Sequence, residues 1–150
     1  MRALAMTLLI STMTLLLPHP VLGQAAAVTA ARTQLTTAIF HSGELAQRGT
    51  AIAGTQLHLR HVINCLEGDK GPDYTAAVGN PCQGQGSGIV NDLRAAVASG
   101  APGAEQAQLF ANVALKLALQ AVAMTDVNEA QPWASVISRQ LTSARDALGR

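Results

Sequence analysis

The sequence predicts an all-α fold, a small up-down helical bundle, and three observations carry that expectation. Alanine, the strongest helix former, recurs along the whole chain. Aromatic residues amount to one Trp, one Tyr and two Phe. No stretch alternates apolar and polar residues as a half-buried strand would; apolar residues instead recur at spacings of three and four. Four main helices and one short one account for the pattern.

The chain opens with a segment that reads as a secretory signal over 1–23. Arg2 supplies the positive charge, Ala3 to Leu17 is an uncharged apolar run, and Pro18 and Pro20 break the helix before small residues near Gly23 and Ala25. An uncleaved anchor is the competing reading, but the run falls short of the roughly 20 apolar residues needed to span hydrocarbon. The segment 24–150 is then a single helical-bundle domain, periplasmic or secreted, with no stable membrane insertion after processing. Of ten basic residues, removal of Arg2 leaves nine against nine acidic ones. They are scattered without runs. A nucleic-acid partner would require a basic stripe, and none is present.

The first helix is expected from about Ala26 to Arg48, with Val28, Ala31, Leu35, Ile39, Ser42 and Ala46 on one face. Gly49 suits its C-terminal stop and Thr50 the cap of the next helix. That second helix runs from about Ala51 to Leu66, burying Ile52, Leu59, Val62, Ile63 and Leu66. Glu67 to Gly88 is rich in glycine and contains Pro72 and Pro81, a composition that makes irregular loop. Ser87 is the expected cap of a short helix to Ser99 carrying Ile89, Leu93 and Val97. After Gly100-Ala101-Pro102-Gly103 a longer helix runs from Ala104 to about Met124, with Leu109, Phe110, Val113, Leu117 and Met124 as its apolar face. Asp126 and Glu129 fit a capping box for the last helix, to Leu148, whose inward face is Trp133, Val136, Ile137, Leu141 and Leu148. Pro132 is expected in or near its first turn, where proline is tolerated.

Chemistry concentrates between His58 and Cys82. Export makes a Cys65–Cys82 disulfide the simplest use of the two cysteines, worth roughly 3 kcal/mol in the chain-entropy model. A thiolate metal ligand is the alternative. His58, His61 and Cys65 share a helix face turned away from the buried stripe, so the disulfide should draw the loop over the two histidines. Asp69, Asp73, Tyr74 and Asn80 are the loop residues that would then neighbour them. In an antiparallel hairpin turning at Gly49–Thr50, His41 comes level with His58, and Glu44 lies one turn beyond His41.

His41, Glu44, His58 and His61 are ligand types for Zn²⁺, Cu²⁺ or Ni²⁺, and a helix spacing of roughly 8–10 Å leaves room for an ion. Neutral imidazole is the ligating form, so affinity should fall as pH drops through about 6.5. Histidines that hydrogen-bond the pinned loop are the structural alternative. Gly84-Gln85-Gly86-Ser87-Gly88 lacks the strand and lysine of a phosphate loop, and no Gly-x-Ser-x-Gly is present. The leading expectation is a non-enzymatic exported bundle binding a divalent metal or small ligand at the histidine pair. A metal-free structural or interaction module of the cell envelope is the second. A homodimer or another envelope protein is the partner its apolar faces would suit.

Overall fold

The computed structural model describes residues 20–149, with side chains from Gly23 onward, as five α-helices: α1 (Pro20–Phe40), α2 (Ile52–Glu67), α3 (Ile89–Ala98), α4 (Ala104–Ala121) and α5 (Val127–Ala147). A π-helical turn, His41–Leu45, prolongs α1, and a short 3-10 turn, Ala76–Val78, lies in the long loop after α2. The all-α bundle of four long helices and a short one is therefore the observed fold. The signal segment expected over 1–23 lies almost wholly outside the described residues. α1 is already helical at Pro20, the first described residue, ahead of the expected start at Ala26.

α1 runs antiparallel to α2 and to α3, and α4 to α5. His41 and Ala46, after α1, meet His58 and Thr55 of α2. Gln34 of α1 bonds Asp92 in the first turn of α3, and Val28 packs near Ala96 and Ala101 at the far end of that helix. Gly103, at the start of α4, lies so near the end of α5 that a Cβ there would sit 1.8 Å from the Ala147 carbonyl oxygen. Its φ of +73° likewise restricts the position to glycine.

The core seam differs from the expected one. Ala104, Ala107, Ala111, Ala114, Ala118 and Ala121 are the fully buried line of α4, facing Ala130, Ala134, Ile137, Leu141 and Ala144 of α5. Both lines step alternately by three and four, the spacing of a coiled-coil seam. Leu109, expected inside, is 62% exposed, and Phe110, Val113 and Leu117 are only half-buried. Alanine wins the seam because it lets the two backbones approach, which displaces larger side chains to the flanks. Trp133, Val136 and Leu148 are likewise half-buried, while Ile137 and Leu141 occupy the core as expected.

Two expected caps are replaced. Ala51, not Thr50, precedes α2 without a side-chain cap, and Thr55 instead donates to the Ala46 carbonyl at 2.9 Å. Gly88, not Ser87, precedes α3; the Asp92 carboxylate reaches back from the first turn to accept the Ser87 N–H at 3.0 Å. Asp126 caps α5 as expected, accepting from the Asn128 N–H at 2.8 Å. Pro132 lies in the second turn of α5.

Candidate metal centre

His41 reaches the site through the π turn. The Ala46 N–H bonds the His41 carbonyl at 2.9 Å, a five-residue step that a regular helix would direct to Ser42. Side chains satisfy the displaced carbonyls: Gln47 Nε2 donates to Ser42 O at 3.0 Å, and buried Ser42 Oγ donates to Ala38 O at 2.9 Å. The wide turn forms at Gly43, where a Cβ would come 2.8 Å from Ser138 Oγ of α5. It returns Ala46 to the core and leaves His41 facing α2.

Facing His41, α2 presents His58 and His61 one turn apart. His41 Nδ1 lies 3.3 Å from His58 Nδ1 and 3.2 Å from His61 Nδ1. One ring nitrogen from each of the three lies within 4.8 Å of the other two. Ring centroids are separated by 4.9 to 5.4 Å. All three rings are half-buried. His61 Nε2 lies 2.7 Å from the Val78 carbonyl oxygen, and since that oxygen only accepts, Nε2 carries the proton. His61 Nδ1 therefore offers a lone pair toward His41.

Electrostatics favour the neutral form of His41 and His58. Burial, with repulsion from His61 and His58, lowers the His41 pKa from 6.5 to about 4. Burial, followed by repulsion from His61, also lowers that of His58. Neutral imidazoles with free lone pairs are the metal-ligating form. Two bonds of about 2.0–2.1 Å at a tetrahedral angle place donor nitrogens about 3.3 Å apart, whereas octahedral neighbours would be about 3.0 Å apart. The 3.2 and 3.3 Å separations of His41 from its two partners lie near the tetrahedral value, and the third pair lies within 4.8 Å.

The disulfide joins Cys65 and Cys82, with Cα atoms 5.2 Å apart, so neither sulfur is a thiolate ligand. Asn80 Oδ1 accepts the Cys82 N–H at 2.9 Å, the turn chemistry expected of Asn80-Pro81. The loop does reach the histidines, but its contribution is one main-chain carbonyl, that of Val78. The pair therefore meets the loop at Val78 and also converges on His41 across the hairpin, the level pairing expected of His41 and His58.

Glu44 does not join them. It pairs with Arg48 one turn along, and both side chains are exposed. Asp69, Tyr74 and Asn80 line a separate cleft of about 490 Å³ with Lys70 and Gln83, away from the histidines. Asp73 is exposed, and its N–H donates to Glu67 Oε2 at 2.8 Å.

Several residues that hold the site in place lie outside the sequence-based candidate set. Asn64, fully buried, donates to Thr75 O at 3.0 Å and Gly79 O at 2.6 Å and accepts the Thr75 N–H at 2.9 Å. It thereby clamps the turn that presents Val78. Its signal was a lone amide within the apolar run Val62-Ile63-Asn64-Cys65-Leu66. Gln34 bonds both Asp92 and the Gly88 N–H, closing the far end of the loop. At the loop's neck Gly68 and Gly88 press together: a Cβ on Gly68 would meet Ser87 O at 2.4 Å, and one on Gly88 would meet Glu67 O at 2.6 Å.

No protein-family model, curated protein or solved structure matches this chain.

Proposed function

We propose that this protein is an exported, non-enzymatic helical bundle that holds one divalent transition-metal ion on His41, His58 and His61. The observation that carries the reading is the convergence of three imidazoles from two helices, with one ring nitrogen of each within 4.8 Å of the other two. Imidazole donors suit Zn²⁺, Cu²⁺ and Ni²⁺. The Val78 carbonyl supports the reading further, because a ligating histidine commonly donates its outer N–H to a fixed acceptor. A disulfide is compatible with an oxidising compartment, as the leader-like segment implies. Among the described residues no helix is long and apolar enough to cross a membrane.

Calorimetric titration of the purified protein with Zn²⁺, Cu²⁺ and Ni²⁺ tests the assignment. One ion per chain should bind, and His41→Ala and His58→Ala should each weaken binding by more than the about 10–100-fold typical of losing an outer partner. If the wild type and a His41→Ala/His58→Ala double variant titrate alike, the metal assignment is lost. The cluster would then serve the metal-free envelope module, with the histidines tying the loop to the hairpin.

A further inference from the structure

We infer that an ion held on His41, His58 and His61 keeps a coordination position open to a small carboxylate with an apolar tail; this rests on the metal reading above. A tetrahedral ion takes four donors, and the cluster supplies three. Among the described residues no other histidine, cysteine or acidic side chain groups with them. Cys65 is committed to its disulfide and Glu44 to Arg48. The half-exposed rings leave the remaining position within reach of solvent and solutes.

Charge selects the kind of ligand. Three neutral imidazoles leave the +2 of a bound ion uncompensated, and the partner of His61 is an uncharged carbonyl instead of the carboxylate often found there. An incoming anion restores the balance. The surroundings then select among anions. Large hydrophobic side chains exposed among the described residues are Phe40, Leu57 and Leu109, and two of these flank the histidines.

Phe40, 52% exposed, meets the His41 ring edge-on with centroids 6.0 Å apart. Leu57, 39% exposed, precedes His58 and lies one helical turn before His61 on the same side of α2. An apolar rim beside an electrophilic centre suits a carboxylate that carries an aryl or branched alkyl group. Among the described residues no lysine or arginine is hydrogen-bonded to the three histidines, so phosphate or sulfate would find no fixed cation there.

Loading the protein with Co²⁺, whose visible bands report its ligands, allows acetate and benzoate to be compared at one centre. Both carboxylates should shift the bands, with benzoate at least about tenfold tighter because its ring buries apolar surface. A Phe40→Ala/Leu57→Ala variant should bind acetate unchanged and benzoate no better than acetate. These residues are exposed, so an unaltered circular dichroism spectrum is expected.

Bands that form with Co²⁺ but ignore both carboxylates show a closed position and overturn the inference alone. Equal affinity for the two, or a variant that still prefers benzoate, overturns the apolar rim. Absence of Co²⁺ bands removes the metal reading, and this inference falls with it.

Discussion

His61 Nε2 donates to the Val78 carbonyl oxygen at 2.7 Å, which makes the disulfide-pinned loop the element that sets the tautomer of a candidate ligand. The loop, the disulfide and the histidine cluster are therefore one mechanical unit. Val78 ends the short turn Ala76–Val78, and Cys82 anchors the chain to Cys65 just beyond it.

Reduction, or a Cys82→Ser variant, should therefore act on both stability and binding. Losing the cross-link costs about 3 kcal/mol in the chain-entropy model, visible as a lowered melting temperature. With Val78 less firmly placed, Zn²⁺ affinity should fall by about 10–100-fold, the usual effect of losing an outer partner. Calorimetry on the oxidised and reduced protein measures this. Unchanged affinity after reduction would show that the loop does not orient His61.

Asn64 offers a way to loosen the same turn without touching the disulfide. Replacing it with leucine strands the Thr75 and Gly79 main-chain groups it now bonds. Each stranded group costs about 1–3 kcal/mol when it stays away from water. Hydrogen exchange should quicken at Thr75 and its neighbours while amides in α4 and α5 keep their protection. Uniform loss of protection would instead mean that Asn64 supports the whole fold.

Sequence reasoning succeeded where a single local rule decides the outcome and failed where two segments compete for one place. Helix existence followed from alanine content and spacing, and the level pairing of His41 with His58 followed from hairpin geometry alone. The pairing of Cys65 with Cys82 followed from the expectation of an oxidising compartment. The π turn at His41–Leu45 was illegible, because it depends on how closely Gly43 approaches Ser138 on a helix far along the chain. That turn also explains why Glu44 points away, toward Arg48. The buried face of α4 was misread because leucines outrank alanines in hydrophobicity, whereas interhelical distance rewards the smaller residue.

The alanine seam can be tested directly. Ala114 is fully buried on α4, facing α5, so Ala114→Leu should force the backbones apart and cost about 1–3 kcal/mol. Leu109→Ala, at a side chain 62% exposed, should change stability by no more than about 0.5 kcal/mol. Urea unfolding of the two variants gives both numbers. The reverse ranking would restore the leucine face as the core.

The histidines also set how the metal-free protein responds to acid. His41 titrates near 4 in the folded chain but near 6.5 when unfolded, and the His58 value is lowered in the same sense. Between those values the unfolded chain binds more protons, so stability should be highest above about pH 6.5 and decline as pH falls toward 4. His41→Ala should flatten that decline. Proton competition for a metal should likewise set in at lower pH than the 6.5 of free imidazole, because burial, with repulsion from neighbouring imidazoles, already disfavours the protonated forms of His41 and His58. Zn²⁺ titrations at pH 7 in buffers of different ionisation heat should therefore show little proton release from these two ligands. Release approaching one proton from each would mean that these two imidazoles are charged before the ion arrives, and the lowered pKa values of His41 and His58 would not describe the protein in solution.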